Sequence, residues 1–264
     1  MFEFHNDRRR YFEMQILNTS KYVIPFIQEV FRITSGMKVL EIGAGEGGVL
    51  KSFTDIGCNG VAVELEAARV ENAKKFMPEE IASGKIKFIT SDIYNTTSEE
   101  LGGPFDLIIL KDVIEHIHDQ AKLIKRMHHF IKPSGMIFFG FPPWYMPYGG
   151  HQQMALKKLS RIPWIHLLPM PLYKGALKTF KEDPSTVAML AEIKETGISI
   201  ERFERTVKET GWEVALKKHF LFNPIYEWKF NLKPRKQFGL ITRIPFFRNF
   251  VTTCVYYLIK PVKD

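Results

Sequence analysis

The chain has 264 residues, of which 45% are hydrophobic and 25% charged, with a formal net charge of +8 and a pI of about 9.3. That length suits one large domain with a real core, or one domain with a sizeable insertion. The only cysteines, Cys58 and Cys254, argue against a disulfide framework and for a reducing cytoplasm. The opening MFEFHNDRRRYFEMQ has no apolar h-region, and no apolar run reaches about 18 residues, so neither a secretory signal nor a spanning helix is expected. The basic balance favours anionic partners, such as nucleic acid, a membrane surface or an acidic substrate, over a merely lysine-rich solvated surface by no more than even weight.

In chain order, residues 11–32 read as a helix with an apolar face of Phe12, Ile16, Tyr22, Ile27, Val30 and Phe31, kinked or broken at Pro25. KVLEI is a short buried strand. A glycine turn over Gly43–Gly48 follows, then a helix to about Asp55. GVAVE (60–64), KIKFIT (85–90), FDLIILK (105–111) and GMIFFGF (135–141) read as four more buried strands. Between them lie a helix over 66–77 and one long helix, VIEHIHDQAKLIKRMHHFI, stopped by KPSG. The rhythm is lost after Phe141. It returns with the helix SIERFERTVKETG, N-capped by Ser199 and ended at Gly211, and the strands WEVALKKHFLF and TTCVYYLIKPV. The expected division is an N-terminal helical cap (1–36), a core (37–142), a lid insertion (143–198) and a C-terminal part (199–264) with its own insertion at about 223–250.

Strands alternating with helices imply right-handed crossovers and a doubly wound parallel α/β sheet, with ligands at the carboxyl ends of the strands. Gly43, Gly45 and Gly48 fit the dinucleotide pattern G-x-G-x-x-G, which alone is weak. Three acids shift the reading. Glu41 stands immediately before the glycines, poorly placed for a pyrophosphate but well placed for a cationic ligand. Glu64 ends the second strand, where a carboxylate accepts ribose hydroxyls. Asp92 follows the third strand, within reach of an adenine amino group. A nicotinamide oxidoreductase is the competitor that this pattern disfavours.

VLEIGAGEG, VAVE, ITSDI, FDLIILKDVIEH and IKPSGMIFF, in this order, resemble the class I S-adenosylmethionine-dependent methyltransferases, in the branch that includes the ubiquinone- and menaquinone-pathway enzymes. The resemblance covers residues 35–142 and, more loosely, 199–260. It implies a seven-stranded Rossmann-like sheet in the order 3-2-1-4-5-7-6 with the seventh strand antiparallel. It implies S-adenosylmethionine as cofactor, with Glu41 and the backbone of Gly43, Ala44 and Gly45 at its methionine moiety. Glu64 would then bind the ribose, Leu65 would pack on the adenine, Asp92 and the Ile93 backbone would read its edge, and Lys111 would line the methyl-donor end.

On the acceptor side, KDVIEHIHD places Asp112, Glu115 and His116 at helical spacings i, i+3 and i+4. Some relatives carry E-x-x-E-H here and bind a divalent metal, which a later histidine completes in the RNA enzymes. His151 is the candidate for that ligand. A metal is not the leading expectation, and His116 or His151 as general base, or a purely structural pair, stand beside it. The remaining histidines, among them His5, His128, His166 and His219, carry no assigned role. The expected acceptor is a small or lipid-like molecule methylated at oxygen, with Trp144, Tyr145, Tyr148 and His151 at the pocket edge. The basic, aromatic stretches 159–178 and 233–250 suit a lid or a membrane surface. The protein is expected in the cytoplasm, with peripheral membrane contact open. An RNA methyltransferase or a non-catalytic cofactor-binding module are the alternatives. RNA is the less favoured partner, and the N-P-P-[YF] mark of exocyclic-amine methylation is absent.

Overall fold

The computed structural model describes residues 7–262. One eight-stranded sheet runs in the order β3-β2-β1-β4-β5-β8-β6-β7. Its strands are β1 (Lys38–Ile42), β2 (Asn59–Glu64), β3 (Ile86–Thr90), β4 (Phe105–Lys111), β5 (Ile131–Phe141), β6 (Trp212–Phe222), β7 (Arg235–Lys236) and β8 (Cys254–Pro261). The first five pair in parallel, and β8 inserts antiparallel between β5 and β6. This is the expected order, with the last strand of the chain, β8, in the sixth position that the resemblance assigns to the seventh strand. The insertion after β6 adds a two-residue edge strand that the sequence pattern did not announce.

β4 shows why the sheet is covered on both faces. Ile108 and Leu110 point into a core with Phe139, Phe141 and Phe203, while Leu107 and Ile109 point into another with Phe26, Leu50, Phe53 and Phe138. A strand apolar at every central position has no solvent face, as a parallel sheet requires. Phe203, from the helix Ile200–Glu209, meets Phe139, Phe141 and Tyr257 with ring centroids 4.8–5.0 Å apart. That helix begins where expected: Ser199 accepts a hydrogen bond from the Arg202 N–H. Strand order reverses between β1 and β4, which opens a crevice at their carboxyl ends.

Three expectations are corrected. The N-terminal helix spans Arg8–Asn18 and continues through a π-turn, Thr19–Val23, into Ile24–Gln28. Pro25 has no N–H to give, and the widened turn before it absorbs the defect, so the chain neither breaks nor reaches residue 32 as helix. KPSG does not end a helix: it bulges from within β5, where pairing jumps from Phe105–Ile131 to Leu107–Met136. The long helix expected from Val113 is instead a single 3₁₀ turn, Ile114–His116, an extended Ile117, and a helix Gln120–Arg126. Asp119 causes the restart, because its side chain caps the Lys122 N–H at 2.9 Å. His5 lies outside the described residues.

Candidate active site

Glu64 and the glycine loop form one hydrogen-bonded unit. Glu64 Oε2 accepts the Gly45 N–H at 2.7 Å and Oε1 accepts the Glu66 N–H at 2.9 Å. Gly43 and Ala44 donate their N–H groups to the Val63 carbonyl, so the loop hugs the tip of β2. Gly43 has φ +67°, and a Cβ on it would stand 2.7 Å from Val113 Cγ2. Gly48 opens the helix Gly48–Asp55, and a Cβ there would stand 2.6 Å from the Phe12 carbonyl oxygen. The N-terminal helix therefore lies directly on the loop.

The cleft beside the loop has a cavity volume of about 90 Å³, and Glu41, Lys111, Asp112, Arg69 and Tyr11 all line it. Glu41 is buried and accepts the Leu50 N–H at 2.9 Å. Burial pushes its carboxyl up to about 8, against the pull of that hydrogen bond and of Lys111. The Leu50 N–H and Lys111 do not offset that burial, an environment that a cationic ligand would complement. Lys111 is ion-paired with Asp112. Burial works against both charges, but each holds the other, so the ammonium sits above and the carboxyl below its ordinary value.

The remaining cofactor candidates stand at the carboxyl ends of the neighbouring strands β2 and β3, outside the residues that line the cleft. Leu65, just past the tip of β2, is 69% exposed and presents an apolar surface there. Asp92 is the N-cap of the turn Ile93–Asn95, where Oδ1 accepts the Tyr94 N–H at 2.9 Å and leaves Oδ2 for another donor. The Ile93 side chain is buried beneath this turn. These positions suit S-adenosylmethionine by donor chemistry: acids at three successive strand tips, and an apolar platform between the second and third.

The acceptor-side cluster is rearranged. Asp112 has φ +57°, which turns it away from any shared helical face with Glu115 and His116. It is engaged by Lys111 and does not join them as a ligand. The group that does assemble is Glu115, His116 and His151, with potential ligand atoms all within 4.8 Å of one another. The two imidazole rings lie 5.1 Å apart. Both Glu115 oxygens and His151 Nδ1 are buried without a hydrogen-bond partner. Burial, and then Asp112, raises the Glu115 carboxyl well above its ordinary value. Burial, and then His116, drives His151 down to about 3. Burial thus works against the charged form of Glu115 and of both imidazoles, while their potential ligand atoms stand together.

Of the expected pocket edge, Trp144 packs on His166 and Lys194, and Tyr145 packs on Phe250. His166 is a core residue, its Nε2 hydrogen-bonded to the Trp144 carbonyl at 2.8 Å. His128 stacks on Trp212 at 4.1 Å. Tyr11 and Arg69 were not singled out by the sequence. Tyr11 reaches the cleft only through long-range packing of the first helix, which no local pattern records. Arg69 stands one turn into the helix after Glu64, where it pairs with Glu66 at 3.0 Å.

Residues 14–169 match the family model described as methyltransferase domain, more than half of the chain. The chain belongs to that family. Its sheet is that of the class I S-adenosylmethionine-dependent methyltransferases. A ubiquinone biosynthesis O-methyltransferase of Pseudomonas aeruginosa is 29% identical over 104 residues, 39% of this chain and 44% of its own length. The match thus spans less than half of that bacterial methyltransferase. The mitochondrial ubiquinone biosynthesis O-methyltransferase of Schizosaccharomyces pombe is 22% identical over 86% of this chain and 74% of its own. The crystal structure of an S-adenosylmethionine-dependent methyltransferase from Clostridium acetobutylicum superposes with a TM-score of 0.57 at 14% identity, covering 93% of this chain and 92% of its own.

Proposed function

We propose that the protein moves the methyl group of S-adenosylmethionine to an oxygen of a small or lipid-like acceptor, and that Glu115, His116 and His151 hold a divalent cation at the acceptor. The observation that carries this is the position of Asp112. It lines the cofactor cleft and also acts electrostatically on Glu115, His116 and His151, so the glycine cleft and the cluster of unpartnered ligand atoms are neighbours. The relatives named as ubiquinone biosynthesis O-methyltransferases support oxygen as the methylated atom.

In this reading Glu41 takes the cofactor's ammonium and Glu64 its ribose hydroxyls, each carboxylate oxygen keeping a second lone pair for the purpose. Leu65 lies on the adenine, and Asp92 and the Ile93 backbone read its edge. When bound, the cofactor supplies a methyl group on a positively charged sulfur, which needs no further activation. The chain's contribution is then largely position and exclusion of water, worth up to about 7–11 kcal/mol in favourable cases. Lys111 holds Asp112 in the left-handed backbone position that separates the two half-sites. A divalent cation held by the cluster supplies a Lewis acid toward an acceptor hydroxyl. The aromatic insertion 143–198 closes over the acceptor.

The test combines calorimetry and transfer. S-adenosylhomocysteine is expected to bind and NAD to give no heat. Methyl transfer to catecholic acceptors is expected to require Mg²⁺ or Mn²⁺ and to stop with a chelator. Transfer unaffected by chelation, with a pH profile that disappears in His116→Ala, would replace the cation by a histidine base. Transfer to RNA in place of phenolic acceptors would overturn the substrate class, and cofactor binding with no transfer to any acceptor would favour a binding module.

A further inference from the structure

The insertion between β6 and β8 is held rigidly at its base and exposes apolar side chains at its tip. Glu201 Oε1 accepts the Phe246 N–H and Arg248 Nε–H, both at 2.9 Å, and Oε2 accepts Asn249 Nδ2 at 2.6 Å. Arg248 also reaches Glu204 at 2.8 Å, and Gln237 Nε2 donates to the Val251 carbonyl at 2.6 Å. Gln237, Arg248 and Asn249 are all buried. Above this base, Phe238 is 63% exposed, Leu240 74% and Phe246 66%, with Ile244 and Phe247 exposed beside them. Phe246 stands at φ +61°, a strained position for its residue type, and the Glu201 hydrogen bond to its N–H holds it there.

Cations surround the tip. Lys233, Arg235, Lys236 and Arg243 are exposed and form no ion pair among the described residues. No acidic residue stands between Glu227 and Asp264. Beneath the tip lies a cavity of about 430 Å³ lined by Lys217, His219, Thr242, Arg243 and Arg248. Lys217 and Arg248 are matched by Glu204 and Glu201, which leaves Arg243 unmatched. His219 is only 6% exposed, and its Nδ1 has no hydrogen-bond partner. Tyr257 donates its hydroxyl to Glu204 at 2.7 Å, so its oxygen accepts His219 Nε2–H at 3.3 Å. The lone pair is therefore on Nδ1, where it can accept a hydroxyl.

We infer that this insertion docks on an anionic phospholipid bilayer, with Phe238, Leu240, Phe246 and Phe247 entering the acyl boundary and one lipid headgroup, a phosphate next to a hydroxyl, seated between Arg243 and His219. Charge complementarity selects an anionic surface. The apolar side chains select lipid over nucleic acid: Leu240, the most exposed of them, and Ile244 have no π-face on which a base can stack. Exposed apolar side chains ringed by Lys and Arg are what interfacial anchors require. The inference is independent of the methyl-transfer chemistry, because nothing in it uses the cofactor cleft.

Sedimentation of the full chain with vesicles tests it. Adsorption to phosphatidylcholine vesicles containing phosphatidylglycerol is expected to exceed that to pure phosphatidylcholine by about tenfold or more, and to fall at high salt. Arg243→Glu, and separately the pair Leu240→Asp with Phe246→Asn, are each expected to weaken adsorption by about fivefold or more. Melting temperature and S-adenosylhomocysteine binding are expected to stay unchanged in these variants, which separates lost docking from lost folding. Equal adsorption to neutral vesicles, adsorption indifferent to the variants, glycerol 3-phosphate binding with no vesicle adsorption, or binding of single-stranded RNA with no vesicle adsorption would each overturn it.

Discussion

Gly45 gives its backbone N–H to the carboxylate of Glu64 at 2.7 Å, so the glycine loop and the tip of β2 move as one body. Removing the carboxylate removes the loop's tether and, in the proposed reading, the ribose acceptor together. Glu64→Ala is expected to lower S-adenosylhomocysteine affinity by at least about a hundredfold, since a charged acceptor of several hydrogen bonds is worth about 1.5–3 kcal/mol for each one lost. Titration calorimetry measures it. An affinity within a few-fold of wild type would mean that Glu64 serves the loop alone.

The raised Glu41 carboxyl makes a pH prediction. Its value is about 8 in the folded chain against 4.5 in the unfolded one. The folded state therefore holds this proton more tightly, and the associated stability is present below about pH 4.5 and lost as the pH rises through about 8. The ligand-free Glu41→Gln variant is expected to show a shallower fall in stability over that window, by a difference on the order of 2–4 kcal/mol. Denaturant unfolding at a series of pH values reads it. A cationic ligand at Glu41 must expel the proton, so cofactor binding near neutral pH is expected to release one, visible as a dependence of binding heat on buffer ionisation enthalpy.

Glu115 and His151 make a second proton-linked prediction. A divalent cation bound by the cluster displaces the Glu115 proton, so Mn²⁺ affinity is expected to rise with pH. Glu115→Gln and His151→Ala should each cost more than the roughly 10–100-fold typical of groups that merely support a ligand. Electron paramagnetic resonance of free Mn²⁺ follows the binding directly, without any acceptor.

Gly43 and Val113 are coupled through a single contact. Gly43→Ala places a methyl 2.7 Å from Val113 Cγ2 and also strains a backbone at φ +67°. The variant is expected to lose about 2–4 kcal/mol of stability from overpacking and backbone strain combined. Adding Val113→Ala should restore the part due to the contact and leave about 1 kcal/mol from the φ angle. Strict additivity of the two substitutions would show that the contact yields without cost.

The legible and illegible parts of the sequence divide by range. β4 was readable to the residue because FDLIILK is an unbroken apolar run closed by a charge, and Ser199 marked its helix by a local cap. The acids Glu41, Glu64 and Asp92 were found at their strand tips because position relative to a strand is also local. The acceptor side was misread where one residue overrode a period. Asp119 is as good a helix starter as any acid in VIEHIHDQ, and no spacing rule told it to cap there instead of extending the helix back to Val113. His151 stands beside Glu115 and His116, but the join is made by chain segments far apart in sequence, and the left-handed turn at Asp112 has no periodic signal. The burial of His219, like the strain at Phe246, belongs to packing between distant segments and could not be read from its neighbours.

Phe12 and Gly48 touch so closely that the helix Arg8–Asn18 has no room to slide while the glycine stays in place. Tyr11 and Phe12 form one wall of the cleft, so whatever occupies it bears directly on the first helix. Substitutions that loosen this helix from the body then reach the cleft's occupant from the amino-terminal side, through packing alone.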